Sequence, residues 1–330
     1  MNGNMQTNFN DLYLAQDRAL ANPAPMPAYE PGRSIVTTCY RSEIPSAYIL
    51  LCELVRIGID LPIEVFYREG ELDDVEIAEL SKIGRTISFK KIRSVANDYR
   101  DRWGNSKGWS SKVFAVLESQ YQENLWIDCD NVPIRNCLDL FDDPEYLQKG
   151  SLFWRDVYSI DRADQYHSGS EMWKTFRVGP NDGEPFESGQ FLLNKPTVWN
   201  QFSMMLHYTS NNQVYYGFGG DAECWRMAWQ FVSLAMRGYH AGINYHSSKD
   251  VPYGMMPYGP FHKGRPNPWG KYGGGTVMVQ RDRQGNELFN HRNIDKWKWR
   301  EENPYNADVT NEMNYHAIMR HIKSKYGVES

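Results

Sequence analysis

The 330-residue chain has no run of about 18 apolar residues, so nothing in it reads as a membrane span. Its first residues lack the basic-then-apolar pattern of a secretory signal. Cysteines are few and odd in number (Cys39, Cys52, Cys129, Cys137 and Cys224), with no Cys-x-x-Cys pair. That argues against a disulfide framework or a zinc site and fits reduced thiols in a soluble cytoplasmic protein. Positive charge is not in excess. A net charge of −5 argues against a nucleic-acid binder that works by neutralising phosphates. No internal repeat is present. Aromatic residues, by contrast, are plentiful, with 11 Trp and 21 Tyr. Most suit core packing, although rings with a polar handle also suit sugar-binding clefts.

Against that background one stretch stands out, residues 124–133 (NLWIDCDNVP). An apolar run, Leu125 to Ile127, delivers Asp128 and Asp130 and then breaks at Asn131 and Pro133. The pattern predicts a buried strand whose end projects two carboxylates into a loop. In an open α/β sheet, ligands bind at the carboxyl ends of strands. Two carboxylates so close repel unless a cation lies between them, and Mn2+ or Mg2+ takes such oxygen ligands together with substrate phosphates. The bland alternative is a turn in which both aspartates cap backbone N–H groups.

Along the chain, residues 1–32 read as a flexible N-terminal tail, ending in a Pro-rich linker over 22–32. A β-branched run at 34–39 predicts the first strand, with Thr37 and Thr38 at its end as candidate donor contacts. An amphipathic helix over 46–58 and a strand over 61–67 follow, giving a βαβ unit and hence a parallel sheet. Further elements are a helix near 75–83, a weaker strand at 86–90, a loop at 98–110, and a helix opening at Ser110 or Ser111 that leads into the Asp-x-Asp strand. Lys112 lies in that helix's first turn, either solvated or directed at a ligand phosphate. Residues 186–195 predict a turn and then a strand, where Gly189 permits close approach of backbone to a ligand. Asp221 stands at the start of an apolar helix over 222–236. Residues 253–275, rich in Gly and Pro, read as a long irregular lid whose Tyr253, Tyr258, Phe261 and Trp269 could face a sugar ring. A hairpin over 276–291 brings His291, with Lys296 five residues on, and a charged helical tail over 301–330 closes the chain.

Seven blocks, in order, resemble the fungal-type α-mannosyltransferases of glycosyltransferase family 71: residues 109–119, 125–133, 140–142, 150–156, 187–190, 220–221 and 289–293. The resemblance implies a GT-A nucleotide-sugar transferase domain over 33–300, an α/β fold with a mixed, mainly parallel sheet flanked by helices. It implies GDP-mannose as donor, a glycan or glycoprotein acceptor, and retention of anomeric configuration. A UDP-sugar donor is the alternative. Asp128, Asp130 and His291 are then expected to hold Mn2+ or Mg2+. Thr37, Thr38, Lys112, Gly189, Gln190 and Lys296 are expected to contact donor or phosphate, and Asp221 and Glu187 are the catalytic candidates. Two rival functions remain. A non-catalytic sugar-binding protein would be expected to lose an Asp, the late His or the late Lys, and all four are present. A nucleotidyltransferase would want a Gly-rich phosphate loop after the first strand; the chain there runs Cys39 to Pro45 without glycine.

Overall fold

The computed structural model describes residues 9–93, 110–156, 171–179, 185–215, 221–236, 252–266, 275–299 and 303–326. The elements in chain order are α1 (Phe9–Ala21), β1 (Glu30–Thr38), α2 (Ile44–Arg56), β2 (Ile63–Tyr67), α3 (Asp74–Ser81), β3 (Ile87–Lys91), α4 (Ser110–Glu118), β4 (Tyr121–Ile127) and β5 (Asn131–Pro133). They continue with α5 (Pro144–Lys149), β6 (Ser151–Arg155), α6 (Glu171–Phe176), β7 (Phe186–Asn194), α7 (Trp199–Thr209), α8 (Asn212–Tyr215), α9 (Asp221–Met236), β8 (Gly254–Met255), β9 (Phe261–Pro266), β10 (Gly275–Arg281), β11 (Glu287–His291) and α10 (Glu312–Lys325).

Local chemistry accounts for the boundaries. Pro45 sits in the first turn of α2, where its missing N–H costs nothing, and Gly58 just past that helix takes φ 75°. Asp73 and Glu76 form a reciprocal capping box at the start of α3. The main sheet runs β3-β2-β1-β4-β7-β6-β8. Its pairs β3–β2, β2–β1, β1–β4 and β6–β8 are parallel, and β7 alone runs against its neighbours. This is the expected fold class, a mixed and mainly parallel sheet flanked by helices. Alternation along β4 divides the core. Leu125 and Ile127 face the cluster built with α2 and α10, whereas Trp126 faces the one built with α4, α7 and α9. A second sheet, β5-β11-β10-β9, is antiparallel and carries the end of β4 across to the late His.

Three expectations meet a different structure. Residues 9–29 are anchored to the domain rather than free, although 21–28 are mostly exposed. Gln16 Nε2 donates to Thr175 O at 2.7 Å, Trp199 Nε1 to Ala24 O at 2.6 Å, and β1 already begins at Glu30. Helix α10 buries Tyr315, Met319 and Ile322 in the core of the domain, so it is no mere appendage. Within the expected lid, residues 254–255 and 261–266 are strands paired to β6 and β10, and Tyr253 is buried with its ring 4.6 Å from that of Phe186. Tyr253 thus serves packing, whereas Tyr258 is exposed. Trp269 and the loop at 98–109 lie outside the described residues.

Candidate active site

The site forms where β4 ends. The strand's last turn is fixed from β7: Asp128 N donates to Gly189 O at 2.8 Å, and Asn131 Nδ2 donates to Gly189 O at 3.1 Å and to Gln190 Oε1 at 2.6 Å. Register in the second sheet sets His291 opposite Asn131, and Arg292 N donates to Asp130 O at 2.9 Å. Residues about 160 positions apart in sequence are thereby locked side by side. One ligand atom each from Asp128, Asp130 and His291 lies within 4.8 Å of the others. His291 Nε2 is 3.3 Å from Asp130 Oδ1, and its Nδ1 is 3.3 Å from Glu187 Oε1. Glu187 Oε1 also accepts from Gly189 N at 2.7 Å. Gly189 must be glycine for a reason other than ligand approach: a Cβ there would meet His291 Cε1 at 2.5 Å.

Cations brace the carboxylates. Lys112 is buried, with Nζ 3.2 Å from Asp128 Oδ1 and 2.9 Å from Asp221 Oδ2, and it donates to Ser188 O at 2.7 Å. It is therefore not solvated. It ties the Asp-x-Asp turn to the first residue of α9. Trp126 Nε1 also donates to Asp128 Oδ1, at 2.8 Å. Lys296, with 37% of its side chain exposed, sets Nζ 2.5 Å from Asp130 Oδ2 and 3.4 Å from Glu43 Oε1.

Ionisation follows from these contacts. Burial pushes the Asp128 carboxyl up, and the Asp130 charge adds to that against the pull of Lys112. Asp130, though buried, is held well below the usual carboxylate range by Lys296 and His291. Burial would lower His291, but Asp130 and Glu187 together raise it to about 10. Glu187 is lowered in turn, burial being outweighed by His291 and the Gly189 N–H. Two carboxylates and an imidazole within this compass are a donor set that suits Mn2+-like ions, and a carboxylate behind the imidazole orients such a ligand. The residues present fit a divalent cation.

Of the residues expected from sequence, Asp128, Asp130, His291, Glu187, Gly189, Gln190, Lys112, Lys296 and Asp221 all converge here. Thr37 and Thr38 make no side-chain hydrogen bond to this group among the described residues. Thr37 Oγ1 is buried inside β1 without a hydrogen-bond partner, and Thr38 is half-buried at the strand's end. Sequence reasoning passed over Trp126, Asn131, Glu43 and Arg292. Asn131, adjoining Asp130, was open to notice; Glu43 carries no local signal.

Comparison with known proteins places relatives beside this geometry. A family described as "Mannosyltransferase putative" matches residues 32–175. Alpha-1,3-mannosyltransferase MNN1 of Saccharomyces cerevisiae is 27% identical over 171 residues, 47% of this chain and 22% of that protein. Alpha-1,2-mannosyltransferase MNN2 of the same yeast is 22% identical over 281 residues, covering 69% of this chain and 46% of its own. Alpha-1,2-mannosyltransferase MNN22 of Candida albicans is 23% identical over 238 residues, 60% of this chain and 40% of that protein. The chain thus spans less than half the length of these relatives. Among solved structures, an active-site mutant of LgtC matches with a TM-score of 0.49 at 11% identity, covering 87% of this chain and 95% of that one. The mannosyltransferase Ktr4p from S. cerevisiae matches with a TM-score of 0.43 at 10% identity, covering 70% and 78%.

Proposed function

From its similarity in sequence to the fungal-type α-mannosyltransferases, we propose that this chain transfers mannose from GDP-mannose to a hydroxyl of a glycan or glycoprotein, with retention, using Mn2+ or Mg2+. The observation that carries the reading is the meeting of Asp128, Asp130 and His291 with the part-exposed Lys296 at the carboxyl end of β4. Asp128, Asp130 and His291 would hold the cation. Bound there, it would supply charge neutralisation to a donor diphosphate.

The remaining work falls to the chain's own side chains. Lys296 is close enough to the carboxylates to meet the outer phosphate as a point charge, and its exposure leaves it free to turn outward. The bond from the anomeric carbon to the phosphate oxygen breaks and a bond to the acceptor oxygen forms. The acceptor's proton passes to the departing diphosphate on the same face. A double displacement would instead need a carboxylate beneath the anomeric carbon. Glu187 is turned towards His291 and the Gly189 N–H, which supports an orienting task for it rather than nucleophilic attack. Asp221, held by Lys112, is suited to orient sugar or acceptor hydroxyls. Gln190 Nε2 is buried without a partner among the described residues, as a donor to substrate would be. The five free thiols support the cytoplasmic location expected from the sequence.

Incubation with Mn2+ and a panel of nucleotide sugars, followed by measurement of released nucleoside diphosphate, tests this. GDP released from GDP-mannose is the expected result. Release from a UDP-sugar alone would correct the donor, and release from none would favour a non-catalytic binding protein.

A further inference from the structure

We propose that Arg292 is the positioning residue for Lys296, and that α10 holds Arg292 in place through Glu312. The inference rests on the reading of Lys296 as a diphosphate contact. Lys296 belongs to no helix or strand; it lies just after the bend that follows β11. A lysine carries a long flexible stem, so its charge is placed only as well as the backbone beneath it.

Arg292 fixes that backbone on both sides of Lys296. Its Nε donates to Asp295 O at 2.8 Å, holding the residue before. Its guanidinium lies 4.0 Å from the ring centroid of Trp297, holding the residue after. Its own N–H donates to Asp130 O at 2.9 Å, so the clamp is referenced to the carboxylate that Lys296 reaches. The Asp295 side chain secures the outer edge of the bend, accepting from Arg265 Nη2 at 2.7 Å and Thr276 Oγ1 at 3.0 Å.

The guanidinium is in turn set by α10. Arg292 Nη1 donates to both Glu312 oxygens, at 2.8 and 2.9 Å, with each side chain only 1% exposed. Glu312 also accepts from Asn306 N at 3.2 Å, and Asn290 Nδ2 donates to Thr310 O at 2.7 Å. Trp297 packs edge-on against Tyr315 and His316 of α10. A planar fork with five donors can hold a carboxylate, a carbonyl and a ring face at once, whereas an ammonium cannot. Helix α10, which supplies none of the three candidate metal ligands, therefore reaches the diphosphate site through one buried side chain.

The test compares Arg292→Lys, Lys296→Ala and the double variant in the full chain. Two quantities are read: GDP affinity by calorimetry in EDTA, which reports the lysine without any cation, and turnover with Mn2+. Arg292→Lys keeps the charge for Glu312 but loses the Asp295 bond and the stacking on Trp297. The expected outcome is GDP affinity lowered roughly tenfold or more, as for a lost charge-assisted contact, and turnover lowered about a hundredfold. In the Lys296→Ala background the same change should add almost nothing. Losses that multiply in the double variant, or Arg292→Lys equal to wild type while Lys296→Ala is impaired, would overturn the proposal alone. GDP affinity unchanged in Lys296→Ala would overturn the diphosphate reading and this inference with it. If Arg292→Lys does not fold, Glu312→Gln takes its place: a smaller loss of the same kind, absent in the Lys296→Ala background, is expected, and a loss undiminished there overturns the clamp.

Discussion

Gly189→Ala perturbs the site through a single methyl group. Gly189 lies within β7 and is not among the glycines with positive φ, so alanine suits its backbone. The added Cβ would stand 2.5 Å from His291 Cε1, 2.6 Å from His291 Nδ1 and 2.8 Å from Glu187 Oε1. Carbon atoms rest at about 3.5–4.0 Å, so the imidazole must retreat by about 1 Å. Retreat is resisted, because the β5–β11 pairing holds the His291 backbone and the ring's Nε2 already lies 3.3 Å from Asp130 Oδ1. Overpacking of this kind costs typically about 1–3 kcal/mol of stability. The larger expected effect is on the cation, since displacing a ligand or the group that orients it typically weakens binding about 10- to 100-fold. Calorimetric titration of Mn2+ into wild type and variant, with thermal unfolding run alongside, measures both. Unchanged Mn2+ affinity in a variant that folds normally would refute the reasoning that His291 is a ligand seated against Gly189.

Other outcomes follow from the same contacts. Asp130→Ala should abolish Mn2+-dependent donor binding and also destabilise the free protein, because it leaves Lys296 with Glu43 and His291 with Glu187 as their remaining carboxylates. The cost should lie at the low end of the roughly 3–5 kcal/mol for breaking a buried pair, since Lys296 is 37% exposed; denaturant melts would show it. Glu187→Gln should weaken Mn2+ binding while leaving turnover at saturating Mn2+ near normal; turnover that excess Mn2+ does not restore would return Glu187 to a chemical role. His291, raised to about 10 from an ordinary 6.5, contributes stability to the metal-free protein that is complete below pH 6.5 and lost as pH climbs towards 10. Mn2+ competes with that proton, so its affinity should rise across the same window, seen as a growing thermal shift on adding Mn2+.

The Asp-x-Asp turn was legible because strand and turn chemistry are local. Leu125 to Ile127 must be buried, Asn131 and Pro133 must end the run, and the carboxylates fall where a sheet opens. The βαβ rhythm of β1, α2 and β2 was readable for the same reason. Joining His291 to Asp130 needed a family resemblance, since its cause is the β5–β11 pairing, a register that no short segment encodes. The misread parts share one cause. In residues 253–266, Gly and Pro imply irregularity, yet tertiary pairing draws 261–266 into a strand against β10. A charged pattern hid the core face of α10, just as the choice for Lys112 between solvent and a ligand phosphate stayed open because its partners, Asp128 and Asp221, lie 16 and 109 positions away. At Gly189 the sequence pointed to close approach of a ligand, and the group that stands against it in the structure is an imidazole from this chain.

The most direct test is an anomalous difference map from crystals grown with Mn2+ and GDP. One Mn2+ peak bonded to carboxylate oxygens of Asp128 and Asp130 and to an imidazole nitrogen of His291, with the GDP phosphates beside it and Lys296 turned to them, is the predicted result. GDP bound elsewhere, or Mn2+ at the site with no bond to His291, would contradict the account.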